Sequence, residues 1–326
     1  MVEYRIPAAT DIHDAATRLT GISIRTPLIE HPALNEVAGG RVLLKAENLQ
    51  RAGAFKFRGA YNAVSRVNSE RFPGGVVACS SGNHAQGVAA AAGLCGLAAA
   101  VIMPKDAPTL KQHHTKALGA EVILYDRETE DRTAIASTLA AERKAAFIHP
   151  FDDPNVIAGQ GTVGLELKQQ ASQIGVIPDT VLVCCSGGGL LSGVALAVKD
   201  AAPQTTVHPV EPESFEDFAR SLSTGKRCLN ARKSGSICDA LLVEQPGELP
   251  FEIARKTCGA GYVVSDDEVC AAMRFAFHTL KLVIEPGGAV GLAAILARKC
   301  ATRDRITACT ISGGNIDLEQ FSKILG

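Results

Sequence analysis

The chain is expected to fold as an α/β protein with open, twisted, largely parallel sheets, and three observations carry that expectation. Short apolar runs alternate with amphipathic stretches almost throughout, the pattern of strand–helix units on a parallel sheet. Three loops of small and polar residues each stand at the carboxyl end of an apolar run, where open α/β sheets bind ligands. The 326 residues, 46% hydrophobic and 21% charged, suffice for one large or two ordinary domains with real cores.

In chain order, the strand candidates begin with 41–47, apolar through Val42-Leu43-Leu44. The next, 75–79, reads Gly75-Val76-Val77-Ala78-Cys79 and runs into Ser80-Ser81-Gly82-Asn83-His84, then into an alanine-rich helical stretch. Strands are expected at 97–103, 121–125 and 145–150. Pro150-Phe151-Asp152-Asp153-Pro154 is a turn cluster and marks a domain boundary. Strand 180–185 leads into Ser186-Gly187-Gly188-Gly189-Leu190, a glycine loop opening a helix. Strand 206–211 follows, then 306–311, which ends at Ser312-Gly313-Gly314-Asn315. A last helix is expected at 317–325, with no appendage after it.

Composition narrows the function. A formal charge of −1, no Trp and only 4 Tyr argue against nucleic acid as a partner. The longest uncharged stretch, 87–104, is split by Gly93 and Gly96 and is mostly alanine, so no membrane span is expected. None of the 10 cysteines is spaced C-x-x-C, and Cys79, Cys184 and Cys309 lie inside apolar strands as reduced thiols do. Residues 1–7 carry no signal pattern. A cytoplasmic location is the expectation. Gly159-Gln160-Gly161-Thr162-Val163-Gly164 is a literal G-x-G-x-x-G, and on it alone rests a distant alternative, a nicotinamide-dependent oxidoreductase. Asp152-Asp153-Pro154-Asn155 precede it instead of a buried strand, so helix packing is the favoured reading.

The chemistry concentrates on Lys56, in Gly53-Ala54-Phe55-Lys56-Phe57-Arg58-Gly59-Ala60. A lysine among apolar neighbours has a depressed pKa and is a usable amine nucleophile near neutral pH. A glycine loop at a helix N-terminus is an anion cradle. Together they describe an aldehyde that carries a phosphate and is held as a Schiff base, which is pyridoxal phosphate.

Read together, these segments resemble the fold-type II pyridoxal-phosphate enzymes (tryptophan synthase β-like), within them the threonine dehydratase and serine racemase branch. The segments are Glu47-Asn48-Leu49-Gln50 running into the Lys56 motif, Ser81-Gly82-Asn83-His84-Ala85-Gln86-Gly87, 156–162, the 186–190 loop, Ile284-Glu285-Pro286-Gly287-Gly288-Ala289 and 312–315. The resemblance implies a large cofactor-binding domain, 1–50 plus 147–326, and a smaller α/β domain, 51–146. It implies that Lys56 holds the cofactor and later moves the α-proton. Asn83 would bond the ring hydroxyl, Ser186 and the amides of Gly187, Gly188, Gly189 and Leu190 would take the phosphate, and Ser312 would face the ring nitrogen. Ser80, Ser81, Gly82 and His84 would bind the substrate carboxylate. A neutral Ser312 makes a weaker electron sink than a carboxylate would. That favours β-elimination from a 3-hydroxy amino acid such as L-threonine or L-serine, giving a 2-oxo acid and ammonia. Alternatives in the same class are serine racemase, 3-hydroxyaspartate dehydratase and phenylserine dehydratase. A homo-oligomer, a dimer in this family, is expected.

Some positions leave the question open. Ala54 stands where the family often has serine, and Ser186 replaces the first glycine of the racemases' four-glycine loop. Phe151-Asp152-Asp153 follows the dehydratase pattern. Ser81 occupies the place of the racemases' serine opposite the lysine, so it reads equally as a second acid/base or as a carboxylate donor. Arg132 reads as a pocket cation that favours a second carboxylate, or as a helix-surface charge. Glu211, the carbonyl of Phe215 and Asp217 match a divalent-ion site of the racemase branch, with oxygen ligands suited to Mg²⁺ or Ca²⁺. An acidic solvated turn is the competing reading.

Overall fold

The computed structural model describes residues 5–80, 82–107, 109–126 and 128–326. Its strands are β1 (Leu28–Glu30), β2 (Arg41–Ala46), β3 (Val76–Cys79), β4 (Ala99–Pro104), β5 (Glu121–Tyr125), β6 (Ala146–Phe147), β7 (Thr180–Cys184), β8 (Thr206–Pro212), β9 (Tyr262–Val264) and β10 (Ile306–Ile311). They form two sheets, one ordered β1-β2-β10-β7-β8-β9 and one ordered β5-β4-β3-β6. Every pairing is parallel except that of β1 with β2. Central strands covered by helices on both faces are apolar along their length, as in β7 (Thr-Val-Leu-Val-Cys), whose residues are all buried.

All eight expected strands are present, and two three-residue edge strands, β1 and β9, join them. β6 is shorter than expected. After Ile148 the chain turns away from the sheet, because His149 Nδ1 accepts the backbone amides of Phe151 at 3.4 Å and Asp152 at 2.8 Å. The two aspartates that follow are helix caps. Asp153 accepts the amides of Asn155 and Val156 and starts the helix Pro154–Gln173. Asp152 accepts those of Glu248 and Leu249 and starts the helix Glu248–Thr257.

The glycines at 159, 161 and 164 lie inside the helix Pro154–Gln173, where they bring helices together. A Cβ on Gly159 would stand 2.6 Å from the Cα of Gly59, and one on Gly193 would stand 2.5 Å from the amide nitrogen of Gly161. Backbones touch here with no side chain between them. That is the packing reading of the glycine pattern, and it leaves the oxidoreductase without support. Among the described residues, no helix is long and apolar enough to cross a membrane.

Candidate active site

The carboxyl ends of β3 and β6 in one sheet meet those of β7 and β10 in the other across a single cleft. Lys56, Ser80, Gly82, Asn83, His84, Arg132, Ser312 and the loop 186–190 all line it, so the structure gathers nearly every residue singled out in the sequence. Ser81 lies outside the described residues. Glu211, Phe215 and Asp217 stand elsewhere, behind the glycine loop at the end of β8.

Lys56 opens the helix Lys56–Val64. The segment before it is tied to β10's exit by the Phe55 amide, which donates to the Ser312 carbonyl at 3.0 Å, and by a bridge between Ala54 and Gly313. Two segments from opposite ends of the chain are thereby held side by side. The Lys56 amine donates to the Pro150 carbonyl at 2.8 Å and lies 5.2 Å from the centre of the Phe55 ring. Burial lowers its pKa to about 8, only partly opposed by Cys184. A fraction of the amine is therefore unprotonated, and nucleophilic, near neutral pH.

The loop 186–190 is shaped by what surrounds it. A Cβ on Gly187 would be 2.4 Å from the Phe151 ring, and one on Gly189 would be 3.0 Å from the Phe151 backbone. Gly188 has φ +92°, a left-handed conformation that favours glycine, and a Cβ there would be 2.3 Å from Phe218. Only glycines fit between Phe151 and Phe218 while the first amides of the helix Gly189–Ala201 face the cleft without intrahelical acceptors. This concave backbone is suited to a phosphate.

Asn83 begins the helix Asn83–Cys95 and is clamped on both sides. Its Nδ2 donates to Glu285 Oε1 at 2.6 Å, and its Oδ1 accepts from Asn315 Nδ2 at 2.8 Å. One N–H of Asn83 remains for a ligand. Glu285 is buried, and burial, reinforced by the charge of Asp239, raises its carboxyl pKa to about 7. His84 Nε2 donates to the Ile148 carbonyl at 3.0 Å, and Nδ1 has no partner. Burial and the charge of Lys56 hold its pKa down at about 3, so the ring is neutral. A contribution of His84 to carboxylate binding therefore falls to its backbone amide. The Gly82 amide donates to Ser80 Oγ at 3.1 Å.

Cations outnumber anions at the mouth of the cleft. Lys111 pairs with Asp239 at 2.9 Å, whereas Arg132, the first residue of its helix, has no ion pair among the described residues. Sequence reasoning passed over Lys111 and Asp239 and gave Glu285 no role beyond its place in a family segment. For Glu285 a signal was present: an acidic residue directly before Pro286, the first residue of a helix.

The acidic turn is more constrained than a solvated loop. Glu211 is fully buried and accepts the amides of Phe218 and Ala219. Burial, then the charge of Asp217, pushes its carboxyl well above the usual range. Burial likewise raises Asp217 to about 7; its Oδ1 accepts from Asn230 at 2.6 Å and its Oδ2 has no partner. Among the described residues, no group of three His, Cys, Asp or Glu side chains is placed to share a metal ion.

Residues 19–313 match the family described as pyridoxal-phosphate dependent enzyme, and the chain belongs to that family. It is 41% identical over 315 residues to an L-threo-3-hydroxyaspartate ammonia-lyase of a Pseudomonas species, covering 97% of each chain. A crystal structure of a T.th. threonine deaminase superposes with a TM-score of 0.90 at 42% identity, over 96% of this chain and 99% of that one. Maize serine racemase superposes with a TM-score of 0.91 at 35% identity, over 98% and 97%. The fold is that of the fold-type II enzymes.

Proposed function

We propose that the protein is a pyridoxal-phosphate-dependent ammonia-lyase that removes the hydroxyl of a 3-hydroxy amino acid, such as threonine or serine, and yields a 2-oxo acid and ammonia. The observation that carries this reading is the half-buried Lys56 facing, across one cleft, a glycine cradle that a single Cβ would fill. The cradle, the free N–H of Asn83 and the Ser312 hydroxyl fit the phosphate, ring hydroxyl and ring nitrogen of that cofactor. When bound, pyridoxal phosphate draws electrons out of the bonds at the α-carbon of an attached amino acid.

The chain's own groups then do the rest. Lys56 would hold the cofactor and, as a free amine, would take the α-proton on Nζ. Ser312, a neutral hydroxyl, would face the ring nitrogen and leave the electron sink weak, which favours loss of the β-substituent over return of the α-proton. Ser80, Ser81 and the backbone amides of Gly82 and His84 hold the carboxylate. The larger domain, 1–50 with 147–326, holds the cofactor, and the smaller, 51–146, carries Lys56 and the carboxylate loop. This division is supported by the two separate sheets.

One observation favours a second substrate reading. Arg132, on the cleft wall, is a cation with no ion pair among the described residues, which suits a second carboxylate and so 3-hydroxyaspartate. The test is a panel of L-serine, L-threonine, the hydroxyaspartate diastereomers and phenylserine, scored for 2-oxo acid, with both serine enantiomers followed by chiral separation. If no member of the panel gives a 2-oxo acid while serine enantiomers interconvert, the protein is a racemase instead. Ser81→Ala then tells whether Ser81 is an acid/base, which would abolish turnover of one enantiomer only.

Three further parts belong to the same proposal. Glu211, the Phe215 carbonyl and Asp217 would hold Mg²⁺ or Ca²⁺, a reading supported by the unpartnered, buried Asp217 Oδ2. A homodimer is supported by the exposed apolar Leu49 and Val283, neighbours through the hydrogen bond from Asn48 to the Val283 carbonyl. A cytoplasmic location is supported by ten free cysteines.

A further inference from the structure

We propose that Arg58 is a positioning residue for Lys56: its guanidinium, forked between Glu47 and Glu166, fixes the rotation of the helix Lys56–Val64 and thereby the place of Lys56 Nζ in the cleft. The inference rests on the cofactor reading above.

Arg58 is completely buried, as are Lys45 and Glu47. Its Nε donates to Glu47 Oε2 at 2.7 Å, and Nη2 donates to Glu47 Oε1 and Glu166 Oε2, both at 2.9 Å, and to the Ile24 carbonyl at 3.1 Å. Nη1 donates to Glu166 Oε1 at 2.7 Å and to Thr162 Oγ1 at 3.3 Å. Lys45 completes the group, with Nζ 2.6 Å from Glu166 Oε2. Two cations and two carboxylates thus balance in the interior, joining β2, the turn after it, the lysine helix and the helix Pro154–Gln173. Taking four charges out of water costs several kcal/mol per ion before pairing, and apolar side chains could fill such a space at no such cost. The expense is intelligible if the group specifies a geometry.

The geometry concerned is that of the lysine helix. Positions 56 and 58 are separated by roughly 200° around a helix, so Lys56 faces the cleft while Arg58 faces the opposite side. The contact of this helix with Pro154–Gln173 includes Gly59 against Gly159, where a Cβ on Gly159 would stand 2.6 Å from the Gly59 Cα and one on Gly59 would stand 2.4 Å from the Gln160 side chain. Two glycines allow close approach but offer no side-chain ridge to enter a groove at that point, so rotation about the axis is set by the groups around them. The Arg58 fork is the charged part of that constraint, beside Gln160 Oε1, which accepts the Gly59 amide at 3.2 Å, Asn62 Nδ2, which donates to the Asn155 carbonyl at 2.7 Å, and the apolar cluster that Ala60, Ala63 and Val64 form with Val156. A side-chain tip about 6 Å off the axis moves about 1 Å for a 10° rotation, and a misplacement of about 1 Å can cost about 100-fold in rate. Arg58 acts by placement and not by its field, since burial and Cys184 are what set the proton affinity of Lys56.

The test compares the cofactor-loaded wild type with Arg58→Lys, which keeps the charge but replaces the planar fork by a point charge. We expect Arg58→Lys to lower kcat at least about tenfold with KM changed less than about threefold, and to shift the visible absorption of the bound cofactor. Glu166→Gln, at a side chain partly open to solvent, should move both readouts the same way by a smaller factor. It decides the matter if Arg58→Lys does not fold. A lowered melting temperature with kcat and absorption unchanged in the loaded variants would overturn the inference and leave the group a purely structural one. A wild type that takes up no pyridoxal phosphate would instead overturn the cofactor reading itself.

Discussion

Lys56 Nζ donates to the carbonyl of Pro150 at 2.8 Å, joining the start of the lysine helix to the turn whose aspartates cap two other helices. The amine is thus already aimed before any ligand arrives. Lys56→Ala should abolish the visible absorption of the bound cofactor and reduce turnover below about a hundredth of wild type, since Lys111, the other amine lining the cleft, is held at its mouth by Asp239. Spectra and 2-oxo acid production on the same preparation check this.

Gly188 combines φ +92° with a Cβ position 2.3 Å from Phe218. Gly188→Ala should therefore cost about 1–3 kcal/mol from backbone strain alone, with an additional clash against a buried ring. We expect a lower melting temperature and a weaker dissociation constant for pyridoxal phosphate, read by titrating cofactor-free protein. An unchanged constant would remove the loop from the phosphate site.

The carboxyl of Glu285, raised to about 7 chiefly by burial, makes stability depend on pH in a defined sense. The folded state holds the proton more tightly than the unfolded one. Its contribution is fully present below about pH 4.5 and is lost as pH rises through about 7. Glu285→Gln, which stays neutral, should gain on the wild type across that window, by up to a few kcal/mol. Melting curves of the cofactor-free proteins from about pH 4 to about pH 8 measure the difference, and a difference that shrinks as pH rises would contradict the assignment.

Chelation tests the acidic turn. If Glu211 and Asp217 share a divalent ion, EDTA should lower the melting temperature, and Mg²⁺ or Ca²⁺ should restore it in a concentration-dependent way. A melting temperature indifferent to both, with Asp217→Asn at least as stable as wild type, would leave Glu211 as a cap for the helix Asp217–Thr224 and nothing more.

Much of the fold and site was legible in the sequence, for reasons that are local. Runs such as Val76-Val77-Ala78-Cys79 announce buried strands, and small-polar residues directly after them announce loops at strand ends. Lys56 and the loops that carry Asn83, Gly187-Gly188-Gly189 and Ser312 could therefore be marked from the order of residues, and they line one cleft, while the roles of Asn83 and Ser312 rest on the family resemblance. β1 and β9 could not, because three residues at a sheet edge carry no periodicity. Phe151-Asp152-Asp153 read as a mark of the dehydratases; that its aspartates also cap two helices, one of them 96 residues later in the chain, was not visible in the order of residues. Lys111 and Asp239 escaped notice, and Glu285 was read only as part of a family segment, because each gains its meaning from a partner across the cleft, 128 to 202 residues away.

β10 lies between β2 and β7, yet it follows every other strand of the two sheets in the chain. Until residue 311 has left the ribosome, the larger sheet exists as two fragments, each exposing an unpaired parallel edge of apolar strand. Such edges are templates for pairing with other chains. A nascent or truncated protein ending before β10 thus lacks Ser312 and also exposes both of those edges, so premature termination anywhere between β7 and β10 yields an aggregation-prone product and not a merely inactive one.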